Sequence, residues 1–222
     1  MSANDPHAHR HDRGHAHPPG YRHPPRPDTD DRLGYYQAME IAVRELLTEK
    51  KIIAPADVQR AIEAMEARSP AQGARIVAHA WADPAYKARL LADGSAAVAE
   101  LGIEPGPYKL IVVENTPKLH NLVVCTLCSC YPRYVLGPPP DWYKSRNYRS
   151  RAVREPRTVL REFGTEIADG VEVRVHDSTA DMRYLVLPER PAGTAKLSEA
   201  KLAELVGRDS MIGVSRARSP KG

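Results

Sequence analysis

A chain of 222 residues with 42% hydrophobic side chains is long enough to bury one medium-sized core with an arm attached. Its 32 Lys and Arg against 28 Asp and Glu leave a formal net charge of +4, too small to make an electrostatic case for nucleic acid. No apolar run reaches membrane-spanning length and no hydrophobic segment of signal-peptide type opens the chain, so a cytoplasmic protein with reduced thiols is expected.

Residues 1–32 hold His7, His9, His11, His15, His17 and His23 among several prolines and almost nothing apolar. Such a stretch cannot bury enough surface to offset its ordering entropy, and a disordered tail is expected. Its composition also suits loose capture of divalent metal. From residue 33 to 53, Tyr36, Met39, Val43, Leu46 and Leu47 recur at helical spacing. A second helix is expected from Pro55, with Val58, Ala61, Ile62 and Met65 on one face and an end at Ser69-Pro70. Two apolar stripes with no strand to cover them read either as a helical arm, residues 33–70, laid on a partner subunit, or as an ordinary intrachain pair.

The remainder, residues 71–214, reads as one α+β domain. Helical spacing returns at Ile76, Val77, Ala80 and Trp81, and again behind Asp83-Pro84, with Tyr86, Leu90 and Leu91 on the buried face. Asp93-Gly94 interrupts it and Gly102 closes the last short helix. Strands follow at residues 110–113 and 122–124, separated by Asn115-Thr116-Pro117.

The second strand runs directly into Cys125-Thr126-Leu127-Cys128-Ser129-Cys130, which contains all 3 cysteines of the chain. Three sulfurs so close admit a disulfide, a zinc site or a redox-active metal site. A disulfide leaves one sulfur over. Zinc prefers four ligands, which His120 or His176 would have to complete. In Cys128-Ser129-Cys130 the amides of Ser129 and Cys130 lie between two thiolates, so a metal held there would meet two sulfurs and two deprotonated amides in a plane, with Cys125 axial and a sixth position open. Ionising an amide needs a strongly Lewis-acidic ion, which favours trivalent cobalt or iron.

Pro132 and Pro138-Pro139-Pro140 stiffen the exit from this loop. A short helix capped by Asp141 is expected next, then one from Glu155-Pro156 to Gly164. Lys144, Arg146, Arg149, Arg151, Arg154, Arg157 and Arg161 crowd this region without a recognised nucleic-acid motif, and salt bridges to a partner subunit are their expected use. Strands at 171–176 and 182–187 flank Asp177-Ser178-Thr179, a last helix spans 198–206, and 215–222 forms a flexible C-terminal tail.

Residues 123–131, Val-Val-Cys-Thr-Leu-Cys-Ser-Cys-Tyr, closely resemble the metal claw of the nitrile hydratase α subunit and of its relative, the thiocyanate hydrolase γ subunit. The resemblance continues through Asp141-Trp142-Tyr143-Lys144, Val153-Arg154-Glu155-Pro156-Arg157, Arg183-Tyr184-Leu185-Val186-Leu187-Pro188 and Asp209-Ser210-Met211-Ile212-Gly213, and covers about residues 33–214. It implies an N-terminal helical arm followed by a layered α-β-β-α domain, pairing with a β subunit as a heterotetramer of two α and two β chains, and a metallochaperone or activator. It further implies Cys125, Cys128, Ser129 and Cys130 as ligands of one Co(III), with Fe(III) the alternative; Thr126 matches the cobalt members. Cys128 would become a sulfinate and Cys130 a sulfenate, both held by two β-subunit arginines. The implied reaction is hydration of small nitriles to amides, with Cys130 and Ser129 catalytic.

Three positions depart from the nitrile hydratase pattern. Arg133 stands where a pocket tryptophan is usual, and Tyr131-Pro132-Arg133 looks like thiocyanate hydrolase, whose substrate is an anion. Gly106 stands near the place of a pocket glutamine, and Ala195-Lys196-Leu197 replaces a stretch that commonly contains tryptophan. A non-catalytic metal-binding subunit is the third alternative.

Overall fold

The structure, a computed structural model, describes residues 34–220. The expected His-rich tail lies outside these residues. Helix α1 (Tyr35–Glu49) and helix α2 (Pro55–Glu66) form where the apolar periodicity put them, and neither buries a single residue. α1 ends earlier than expected because Lys51 turns into the left-handed region at φ 56°. Tyr36, Met39, Val43 and Leu46 all remain exposed, so this chain does not cover its own stripe.

Ser69-Pro70 does not end α2 but starts α3 (Pro70–Ala82), with the proline in the first turn where its missing N–H costs nothing. α3 is buried along Ala74, Ile76, Val77, Ala80 and Trp81. The Asp83 carboxylate accepts from Ala85 N at 2.8 Å and Tyr86 N at 3.1 Å to cap α4 (Pro84–Ala92), and those amides hold its pKa below the ordinary value. Asp93 caps α5 (Gly94–Glu100) in the same way, and Gly102 leaves it at φ 70°.

β1 (Lys109–Glu114) and β2 (Leu119–Val124) are neighbours in sequence but do not form a hairpin; a single backbone bridge, Thr116 to Leu119, and the Asn121 side chain, which donates to Glu114 O and Asn115 Oδ1, join their ends. The chain then passes through α6 (Arg133–Leu136), α7 (Asp141–Lys144), α8 (Arg146–Arg151) and α9 (Pro156–Glu162) before β3 (Glu172–Asp177) and β4 (Met182–Leu187). Asp141 is the first residue of α7 rather than its cap, and pairs with Lys144 at 2.9 Å. β1 pairs in parallel with β4, from Lys109 opposite Met182 to Glu114 opposite Leu187. β2 pairs in parallel with β3, from Leu119 opposite Glu172 to Val124 opposite Asp177.

The two pairs pack together through β2 and β4, with α4 and α5 on β1 and α9 on β3. This is the expected layered α-β-β-α arrangement, with Leu122, Val123, Val124, Leu185 and Val186 fully buried between the layers. The last helical stretch is two short helices, α10 (Glu199–Ala203) and α11 (Arg208–Ile212). Past α11 the chain does not drift away as expected: Arg218 N donates to Leu205 O at 2.9 Å, so the segment is tied to the body as far as that residue.

The basic run is also put to other use. Arg151, 7% exposed, pairs with Glu155 at 2.7 Å and Glu162 at 2.6 Å, and both carboxylates raise its pKa. Arg157 donates to the carbonyls of Ile167 and Val171, and Arg154 to Ser150 O at 2.9 Å. Arg151 thus ties α8 to α9, and Arg157 ties α9 to the loop that precedes β3.

Candidate metal centre

β2 delivers Cys125 to the rim of the sheet fully buried, and the chain then emerges: Thr126, Leu127 and Cys128 are exposed, Ser129 and Cys130 half-buried. The loop folds back on itself. Cys125 Sγ lies 3.6 Å from Cys128 Sγ, and Cys128 Sγ lies 3.2 Å from Cys130 Sγ. All three sulfurs fall within 4.8 Å of one another, and no histidine joins them among the described residues. Neither His120 nor His176, the two histidines that could have completed a zinc site, joins the sulfurs. His120 Nε2 donates to Gly213 O at 2.7 Å, and His176 Nε2 lies 2.9 Å from Asn121 Oδ1.

An aromatic floor supports the loop. Tyr143 donates its hydroxyl to Cys130 O at 2.8 Å and Tyr148 to Val123 O at 2.6 Å. Tyr131 and Tyr143 meet edge to face at 4.9 Å, and Trp142 meets Tyr148 at the same distance. Burial raises the pKa of Tyr131, Tyr143 and Tyr148, so each stays neutral and the last two keep the protons they donate. On the solvent side, Arg149 donates to the carbonyls of Cys125, Thr126 and Leu127, and Asp177 accepts from Thr126 N.

The sulfurs shift one another's ionisation in opposite directions. The Cys128 thiol titrates below its ordinary value because Cys130 and then Cys125 hydrogen-bond to it. The Cys130 thiol is pushed up to about 12 by burial, then by Cys128 and the charge of Cys125, with the Arg183 guanidinium opposing. Three sulfurs this close can all ionise together only with a cation among them, and a metal ion fits that donor set.

Beside the loop lies an open cavity of about 330 Å³, lined by Tyr108, Cys128, Ser129, Cys130, Arg133, Tyr134 and Arg183 among others. Arg133 is exposed, and its Nη1 approaches Met65 Sδ of α2 at 4.0 Å; no carboxylate pairs with it among the described residues. Gly106 is outside the lining. Its φ of 92° and its closeness to the rings of Tyr134 and Tyr108, 2.7 Å and 2.9 Å from where a Cβ would sit, make it the residue that lets those rings meet at the cavity edge. Ala195-Lys196-Leu197 likewise contributes nothing to the lining.

Three residues near the loop were not singled out from the sequence. Arg183 stacks on Tyr108 at 4.7 Å, and its buried Nε has no hydrogen-bond partner among the described residues. Its one signal was a charged residue inside an otherwise apolar strand pattern. Arg149 was hidden in the basic run, and Asp177 in an inter-strand connection.

Residues 34–215 match the family model described as nitrile hydratase, alpha chain. The chain is 51% identical over 189 residues to the high-molecular weight cobalt-containing nitrile hydratase subunit alpha of Rhodococcus rhodochrous, covering 84% of this chain and 93% of the relative. It is 43% identical over 192 residues to the thiocyanate hydrolase subunit gamma of Thiobacillus thioparus, covering 81% and 79%. Among solved structures, a double mutant of the Fe-type nitrile hydratase from Comamonas testosteroni Ni1 superposes with a TM-score of 0.77 at 44% identity, covering 86% of this chain and 94% of that one.

Proposed function

The chain belongs to the nitrile hydratase α-chain family, and on that premise we propose that it hydrates small neutral nitriles to amides at a Co(III) centre, one per chain, in a complex with a β subunit. The observation that carries the reading is the convergence of three sulfurs within 4.8 Å at the end of a buried strand. Cys125, Cys128 and Cys130 would hold the ion through sulfur, and Ser129 and Cys130 through their backbone amides. When bound, trivalent cobalt supplies a Lewis acid that makes a nitrile carbon open to attack by water.

The chain's own residues divide the remaining work. Cys128 is exposed and Cys130 half-buried, whereas Cys125 is sealed, so an oxidant reaches the first two and not the third. That matches a sulfinate at Cys128, a sulfenate at Cys130 and an unmodified Cys125. The Cys130 sulfenate oxygen would act as nucleophile or as base toward water, with the Ser129 hydroxyl beside it. Arg183 supplies positive charge next to Cys130 from within the same chain.

Both the stripe on α1 and Leu127, 86% exposed at the loop's tip, are apolar surface that a partner would cover. We take the helices of residues 33–70 as the arm that embraces the β subunit, in a heterotetramer of two α and two β chains assembled in the cytoplasm with the help of a metallochaperone. No helix among the described residues is long and apolar enough to cross a membrane. A second reading, thiocyanate hydrolase, rests on Arg133 and Arg183, two cations on one cavity wall. Assaying the purified complex on acetonitrile and on thiocyanate separates the two: acetamide formation supports the first, thiocyanate consumption without acetamide the second.

A further inference from the structure

The cysteine loop is gripped from two sides by groups that touch no sulfur through a hydrogen bond of their own. On one side the Arg149 guanidinium, carried on α8, donates to three successive carbonyls: Cys125 O at 3.2 Å, Thr126 O at 3.2 Å and Leu127 O at 3.0 Å. Its remaining nitrogen reaches Lys144 O at 3.4 Å. On the other side Asp177, the last residue of β3, accepts from Thr126 N at 2.9 Å and from Thr126 Oγ1 at 2.5 Å.

Both grips are anchored in rigid structure. Ser145 caps α8 by accepting from Tyr148 N, and Arg151 on the same helix is locked to Glu155 and Glu162. Asp177 is placed by the β2–β3 register, opposite Val124. Each occupied carbonyl or amide fixes one peptide plane, and the sulfurs borne between those planes are fixed with them. Cys128 N already points at Cys125 Sγ at 3.3 Å.

We propose that Arg149 and Asp177 are positioning residues that set the loop in its metal-ready shape before the ion arrives. This rests on the claw reading above and adds to it the reason the loop needs little rearrangement on loading. A free loop loses its conformational entropy at the moment of binding, whereas a preset one has already lost it during folding. A planar fork holds its donors in fixed directions toward carbonyls spread along the loop, whereas a lysine ammonium offers its three donors from a single point.

The test uses the full chain assembled with its partner and grown without cobalt. Co(II) is titrated in while thiolate-to-cobalt absorption is followed, and amide exchange over residues 125–130 is measured in the metal-free complex. Arg149→Met should weaken apparent Co(II) affinity by about 10- to 100-fold, and loop exchange should accelerate about tenfold in parallel, while exchange in β2 stays as in the wild type. Arg149→Lys should recover only part of this. Thr126→Val, which removes one hydrogen bond to Asp177 and leaves both gripping residues, should move both readouts the same way by less. Wild-type affinity and exchange in Arg149→Met would overturn the proposal, as would a loss of affinity accompanied by opening of β2. Should Arg149→Met fail to fold, unchanged readouts in both Thr126→Val and Asp177→Asn would overturn it instead. A wild-type complex that takes up no cobalt would count against the claw itself, and loop exchange would then decide the clamp alone.

Discussion

Tyr143 reaches up from α7 to donate its hydroxyl to Cys130 O at 2.8 Å, tying the last cysteine of the loop to the buried aromatic floor. Phe at this position would keep the edge-to-face contact with Tyr131 and lose only the hydrogen bond. We expect Tyr143→Phe to cost about 1 kcal/mol, a melting temperature lower by roughly 2–4 °C for a chain of this size. Calorimetry of the complex checks the first, and cobalt retained after dialysis against chelator, which should fall, checks the link to the loop.

Arg133 extends toward Met65 on α2 and is exposed, so it need not meet a substrate in the cavity it borders. Arg133→Trp should therefore leave hydration of small nitriles intact and improve it for aromatic ones. Were the protein a thiocyanate hydrolase, the same change would raise the Michaelis constant for thiocyanate steeply, and the wild-type constant would depend on ionic strength. Michaelis profiles for both substrates on both proteins give the answer.

His120 is buried with Nε2 bonded to Gly213 O, and burial holds its pKa below the ordinary value of 6.5. The unfolded chain therefore binds a proton that the folded one refuses. Stability from this group is fully present above about pH 6.5 and is lost as pH falls from there through the lower folded value. His176 shifts in the same direction, from burial and then from Arg174, and adds to the effect. Denaturant melts from pH 7.5 to 5 should show the decline, and His120→Gln should flatten it.

What could be read in the chain was whatever depends on close neighbours. Asp83 announces a helix start because a cap acts on the next two or three amides, whereas Asp93, read as an interruption, caps α5 as well. The cysteine cluster is legible because its three sulfurs share six residues. The parallel pairing of β1 with β4 is not, since those partners lie more than sixty residues apart and the short Asn115-Thr116-Pro117 connection suggests no such separation. Helices α6, α8 and α11 are too short for periodicity to speak. Arg149, Asp177 and Arg183 matter through distant backbone or ring contacts, which composition assigned to a generic basic run or a strand.

Exposure sets which sulfurs an oxidant can reach. Intact mass spectrometry without reductant should find the tryptic peptide with Cys125, Cys128 and Cys130 heavier by about three oxygens in active enzyme. Fragmentation should place two of them on Cys128 and one on Cys130, leaving the buried Cys125 unmodified. Three plain thiols in a fully active preparation would remove the sulfenate from the mechanism.

Elemental analysis of the complex purified from cobalt-supplemented cells tests the claw most directly. The account predicts about one cobalt per chain, lost when Cys125 is changed to serine although that residue takes up no oxygen. Zinc in every preparation, with neither cobalt nor iron retained, would contradict it.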